Sequence, residues 1–320
     1  MTGPRAELHL HWYGAIPPAT VLELARRHRV ALLADTPAGL REWFRFRDFD
    51  HYVEVMSAVG DVVADADDVE LVTWEIAREL ARQGVRYAEV MITPANVERR
   101  GIPFAGCLDA MNRGRLRARD ELGLELRWIL DLFRATPAAR RGYWADMTLE
   151  AAIGSRDAGV VALGLSGPEA GHPAEPFAPW FERARAAGLR SVPHAGELAG
   201  PESVWGAVRA LHPNRIAHGV RAIEDPALVA HLAERGIVLD LCPTSNVCLG
   251  VYPSLAEHPL RRLHESGVPV TVNSDDPTMF ATTLDDEIAA LSGSLGLDAT
   301  AAGEIVANGM RYGFDAGHAT

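Results

Sequence analysis

Two patterns of apolar positions alternate along the chain. Short runs rich in β-branched and large aliphatic residues recur at Glu7–His11, Tyr87–Ile92, Leu126–Leu132, Val160–Ser166, Ser191–Ala195, Arg215–Gly219, Val238–Pro243 and Pro269–Asn273, and each reads as a buried strand. Between them lie longer Ala-, Leu-, Glu- and Arg-rich stretches suited to helix, such as Leu71–Gln83, Pro176–Ala187, Pro226–Arg235 and Leu260–Ser266. Several end on a glycine just before the next strand, at Gly84, Gly188, Gly236 and Gly267, which is the usual helix stop. Strand and helix in alternation predict a parallel sheet. Eight such units predict closure into a single (β/α)8 barrel of the TIM type, with residues 1–320 as one domain. No GxGxxG follows the first strand, which argues against a dinucleotide-binding sheet.

Residues 31–68 break the alternation and carry the aromatics Trp43, Phe44, Phe46, Phe49 and Tyr52. An insertion after the first strand belongs over the barrel mouth, either as helices packed on themselves or as a lid over a pocket.

Composition narrows the chemistry. The net charge of −12 repels a phosphate backbone, so nucleic acid polymers are not expected as partners. No apolar run reaches the roughly 18 residues that span a bilayer, and the start lacks the pattern of a signal peptide. A soluble cytoplasmic protein with no membrane partner is expected, its oligomeric state open. Cys107, Cys242 and Cys248 form no CxxC pair and read as buried thiols. All 31 Lys and Arg residues are arginine. Schiff-base, pyridoxal-phosphate and P-loop mechanisms, and a barrel hydrolase with a carbamylated lysine, are thereby excluded.

Polar residues that would be costly in a core gather at the expected C-terminal ends of the strands, where barrel enzymes place their sites. His9 and His11 stand at i and i+2, so both side chains point to one side of the strand. Pro193-His194-Ala195-Gly196-Glu197, Ala217-His218-Gly219 and Asn273-Ser274-Asp275-Asp276 end three further strands. Neutral imidazoles with one carboxylate suit Zn²⁺ and leave room for a water whose pKa the metal lowers to about 7. Adjacent Asp275 and Asp276 cannot both face one ion.

His-Leu-His near the start, then Pro-His-Ala-Gly-Glu, Arg-Ile-Ala-His-Gly, Cys-Pro-Thr-Ser-Asn and Asn-Ser-Asp-Asp-Pro, in that order from His9 to Pro277, resemble the adenosine deaminase family of the amidohydrolase superfamily. The resemblance implies hydrolytic removal of the 6-amino group of a purine nucleoside, with one zinc ion per chain held by His9, His11, His194 and Asp275. It implies Glu197, His218 and Asp276 as catalytic residues and Gly167, in Leu165-Ser166-Gly167-Pro168-Glu169, as a purine contact. The chemistry fits these roles. A raised Glu197 carboxyl can protonate purine N1, and His218 can accept the water proton or stabilise charge at the attacking oxygen. Asp276 can meet N7, and a side-chain-free Gly167 lets its N–H approach N3. Cys242–Asn246 is expected to shape the pocket wall.

One position departs from the family pattern. Where adenosine deaminases carry a carboxylate two residues beyond the second histidine, associated with the sugar 5′-hydroxyl, this chain has His11-Trp12-Tyr13-Gly14. Trp12 and Tyr13 therefore suggest a 5′-modified substrate. The 6-aminodeoxyfutalosine deaminases resemble this chain in lacking that carboxylate, and their substrate ends in a benzoate. The run from Arg41 to Arg47 is a candidate for holding such a group, or else a solvated helix. The alternatives are deamination of adenosine or of free adenine. A zinc-bound binding protein without turnover is disfavoured by retention of Glu197 and His218.

Overall fold

The eight apolar runs form eight parallel strands that pair in chain order: β1 (Arg5–His11), β2 (Val85–Ile92), β3 (Glu125–Phe133), β4 (Val160–Ser166), β5 (Arg190–Ala195), β6 (Arg215–His218), β7 (Val238–Leu241) and β8 (Val270–Val272). The ring closes just beyond β8, where Leu10 bridges to Asp275. There the His11 N–H donates to the Asp275 carbonyl at 2.9 Å, and the Asp275 N–H to the His9 carbonyl at 3.0 Å. The fold is the expected (β/α)8 barrel, in a computed structural model that describes residues 3–47 and 49–315.

Period-two alternation sorts each strand into an outer and an inner face. On β3, Trp128, Leu130 and Leu132 join the large core between strands and helices, while Ile129 belongs to an inner cluster with Met91, Ala162, Val192 and Ala217. Asp131 and Phe133 continue the inner row towards the top of the barrel. On β1 the outer residues are apolar, Leu8 and Leu10, and the inner row is Glu7, His9 and His11. The same alternation therefore builds the core and aims both histidines inward. Helices end as the glycine stops predict, as at Gly236, a left-handed C-cap with φ +63°.

Residues 31–68 contain the helices Pro37–Trp43 and Phe49–Gly60 and the start of the long helix Ala66–Arg82. Asp48 and the side chains of Phe49 and Asp50 lie outside the described residues, as do Met1, Thr2 and residues 316–320. The second of these helices lies at the mouth. Phe46, Tyr52 and Phe280 pack there as an aromatic group, with Tyr52 stacked on Phe280 at 5.8 Å. No helix among the described residues is long and apolar enough to cross a membrane.

Candidate active site

His9, His11, His194 and Asp275 converge at the top of the barrel. His9 Nε2 and His11 Nε2 each lie 3.3 Å from Asp275 Oδ1, and His11 Nε2 lies 3.1 Å from His194 Nε2. Ligand atoms about 2.0–2.1 Å from a tetrahedral zinc ion stand about 3.3 Å apart, so this spacing matches a metal's coordination sphere. Nε2 of His9, the nitrogen turned to the shared point, is buried without a hydrogen-bond partner, a costly arrangement unless an ion completes it. Two of the neighbouring imidazoles are held neutral. Burial, with the repulsion of neighbouring imidazoles, lowers His11 to about 4 and His194 well below its usual value. For Asp275, burial alone would raise the carboxyl, but the imidazoles of His9, His218 and His11 outweigh it and hold it well below the carboxylate range. A neutral His11 and His194 beside an ionised Asp275 are in the protonation states that metal ligation needs.

The sequence arranges this locally. Ser245 Oγ donates to Asp275 Oδ2 at 2.6 Å, and the buried Glu7 carboxyl accepts from the Ser274 N–H and hydroxyl. Asp275 thus sits on a turn held from two sides.

His218 Nε2 lies 3.6 Å from Glu197 Oε1 and 3.8 Å from Asp275 Oδ2, so both side chains face the same point as the other three histidines and Asp275. Burial lowers His218 to about 3 and pushes the Glu197 carboxyl well up, with Asp275 and Glu169 adding to the latter. A carboxyl kept protonated next to a neutral imidazole is suited to delivering a proton. Glu197 is positioned by a clamp that sequence reading missed. Glu169 accepts from the N–H of Gly196 at 2.7 Å, and from those of Glu197 and Leu198 at 2.9 Å each.

A cavity of about 560 Å³ opens from this cluster to the surface. Gly167 forms part of its wall with φ +97°, and a Cβ there would lie 2.6 Å from the Phe133 ring, so only glycine fits. Tyr13 lines the outer part, its ring 5.0 Å from the Arg100 guanidinium carbon, and burial pushes its phenol up to about 12. Trp12 also borders the cavity, but its indole N–H is taken by Thr73 at 3.1 Å and the ring is buried, so it packs and offers no further hydrogen bond. Asp276 is buried behind the wall. Its Oδ2 accepts from the hydroxyl of the lid residue Tyr52 at 2.7 Å, and a Cβ on Gly14 would overlap its Oδ1. Tyr52 itself lines the cavity, together with Met56 and Ser57 from the same helix.

Of the two readings of the Arg41–Arg47 run, the structure matches the solvated one. Arg45 pairs with Glu42 in solvent, Arg41 borders a separate hollow and Arg47 is exposed, so none of the Arg41–Arg47 group reaches the cavity. Arg99 and Arg100, carried by the helix Pro94–Arg99 and the residue after it, line it instead. Arg100 is committed to Asp61 at 3.1 Å. Arg99 has no acidic partner among the described residues; its guanidinium stands 5.7 Å from the Trp144 ring centre.

A barrel with a three-histidine, one-carboxylate cluster beside a carboxyl whose pKa is pushed up by burial has the make-up of the metal-dependent hydrolase class. The family model for adenosine deaminase matches residues 4–317, and the chain belongs to that family of hydrolytic deaminases. It is 44% identical over 313 residues to an aminodeoxyfutalosine deaminase of Streptomyces coelicolor, covering 97% of this chain and 80% of the relative. Among solved structures, an adenine deaminase from Arthrobacter aurescens superposes with a TM-score of 0.89 at 31% identity, covering 97% of this chain and 94% of that one. An amidohydrolase from Burkholderia ambifaria with bound Zn gives 0.88 at 27% identity, covering 97% and 85%.

Proposed function

We propose that this chain catalyses zinc-dependent deamination of an adenosine-type nucleoside modified at its 5′ end, with 6-aminodeoxyfutalosine preferred over adenosine and adenine. The cavity carries this reading. Adenine alone fills a minor part of 560 Å³, whereas cavities of roughly 300–1,000 Å³ take ligands of nucleoside size and larger. Its lining offers a neutral Tyr13 and an Arg99 with no acidic partner among the described residues, a combination suited to a 5′ extension that ends in a carboxylate. The similarity to a protein named aminodeoxyfutalosine deaminase supports the same choice.

In this scheme His9, His11, His194 and Asp275 hold one zinc ion. When bound, the metal supplies water activated for attack at neutral pH. Glu197 gives its proton to purine N1 as the C6–O bond forms. It then takes a proton from the new hydroxyl and passes it to the amine as the C6–N bond breaks, leaving the 6-oxopurine and ammonia. Its own proton is restored when the next water ionises. His218 faces the attacking oxygen and the Gly167 N–H meets N3, while Asp276, expected from the sequence to meet N7, is held by Tyr52 behind the cavity wall. Tyr13 and Trp12 wall the 5′ end.

A second reading, deamination of free adenine, is favoured by the structural likeness to the Arthrobacter enzyme. Ammonia release from adenosine, 5′-deoxyadenosine, 6-aminodeoxyfutalosine, S-adenosylhomocysteine and adenine separates the two. The 5′-modified nucleosides should be turned over fastest. Turnover of adenine alone supports the second reading, and ammonia from none of them contradicts the proposal.

A further inference from the structure

The segment Cys242–Asn246 has no chemistry assigned above, yet its last residue touches the active site. Asn246 is fully buried on the short helix Pro243–Cys248, with Nδ2 3.4 Å from His218 Nδ1 and Oδ1 3.0 Å from His258 Nε2. At the far end of this chain the Leu260 backbone N–H lies 3.2 Å from His258 Nδ1.

The polarity of the chain follows from that last contact. A backbone N–H can only donate, so His258 Nδ1 is an acceptor and the single proton of the neutral ring sits on Nε2. His258 Nε2–H then requires an acceptor, which fixes the Asn246 amide with its oxygen towards His258 and its NH2 towards His218. An amide nitrogen can only donate, so His218 Nδ1 is the acceptor. The proton of neutral His218 is left on Nε2, the nitrogen that faces Glu197 and Asp275. Burial lowers His258 to about 3, so it does not reverse the chain by charging near neutral pH.

We propose that Asn246 and His258 are positioning residues that lock His218 in its Nε2–H tautomer, making it a hydrogen-bond donor to the attacking oxygen and not the base that accepts the water proton. This rests on the deaminase reading and chooses between the two roles open to His218. Every proton transfer then passes through Glu197, and His218 neither gains nor loses one, consistent with the proton balance given above. The relay also accounts for a buried asparagine and a buried histidine that do not line the cavity.

The tautomer can be observed directly. In protein labelled with ¹⁵N-histidine, long-range ¹H–¹⁵N spectra separate protonated from bare ring nitrogens, and the His218 signal is identified by its loss in His218→Gln. Wild-type protein, metal-free and zinc-loaded, should show His218 protonated at Nε2. In Asn246→Asp the new carboxylate can only accept, so His218 should switch to Nδ1–H. Turnover should fall in kcat by roughly 10–100-fold with KM little changed, as for loss of an orienting partner. His258→Gln, which keeps a side-chain N–H for Asn246, should retain the wild-type tautomer and more of the activity than His258→Leu. Wild-type His218 protonated at Nδ1 would overturn the proposal without reference to any variant. So would an Asn246→Asp enzyme that folds yet keeps both tautomer and kcat. Absence of deaminase activity in a wild type showing Nε2–H would count against the functional reading and leave the relay standing.

Discussion

His218 and Asp275 both adopt left-handed backbone, with φ +61° and +62°, where a residue with a side chain is strained by roughly 1–3 kcal/mol. Such strain persists only where neighbours enforce it, and here Ser245, Glu7 and the Asp275 bridge to β1 do so. The result is that Asp275 points Oδ1 at two histidines while Oδ2 stays on Ser245. Removing that carboxylate should undo the ion site. Asp275→Ala is expected to lose zinc and activity together, whereas Glu197→Gln, which removes only the deliverable proton, should keep zinc and lose most of its kcat, roughly 10²–10⁴-fold. Metal analysis beside steady-state kinetics checks both. Full zinc occupancy in Asp275→Ala contradicts the ligand assignment, and near-normal turnover in Glu197→Gln moves the acid elsewhere.

At the level of elements, loops wall the cavity and strand ends bring the three histidines and Asp275 together. The segment after β4 brings Glu169 across to cap the N–H groups of Gly196, Glu197 and Leu198, so it fixes the turn that presents Glu197. In Glu169→Gln one oxygen is replaced by a donor, leaving buried N–H groups without an acceptor. Destabilisation of about 1–3 kcal/mol is expected, with a fall in kcat larger than any change in zinc content. Thermal melting and kinetics on the zinc-loaded variant test this, and unchanged kcat would remove Glu169 from the positioning of Glu197. The strands were legible because parallel strands buried on both faces read as continuous apolar runs, and the convergence of His9, His11, His194 and Asp275 because polar residues interrupt those runs at one end. Glu169 was visible within its motif but its function was not, since its partners are backbone groups. Tyr52 and Asp276 lie 224 residues apart, and no local pattern announces that contact. The composition of the Arg41–Arg47 run suited either a solvated helix or a carboxylate-holding group; its arginines are solvated, and topology places Arg99 at the mouth instead.

Across the whole molecule, the end opposite the metal cluster is closed by charge. Arg215 lies fully buried between Glu89 and Asp240, with Nε 2.8 Å from Asp240 Oδ2, and its guanidinium stands 4.1 Å from the Phe314 ring centre. The same group donates to the Tyr312 carbonyl, and Glu89 accepts from the Phe314 N–H at 2.7 Å, so the C-terminal segment is fastened beneath the barrel. Arg215→Met leaves two buried carboxylates uncompensated and should cost about 3–5 kcal/mol of stability, read by denaturant unfolding, with kcat per folded molecule retained. A stability loss below about 1 kcal/mol would show that the network is dispensable.

The substrate-binding end tests the central claim most directly. The measurement is the ratio of kcat/KM for 6-aminodeoxyfutalosine to that for 5′-deoxyadenosine, taken in the zinc-loaded wild type and in Arg99→Met. The two substrates share the purine and sugar and differ at the 5′ extension, so the ratio isolates the outer cavity. Arg99 is exposed, so its contribution is screened, and a ratio above one that falls by about fivefold in Arg99→Met is the expected result. A wild-type ratio below one, or a ratio unmoved by the substitution, contradicts the assignment of this cavity to an anionic 5′-extended nucleoside.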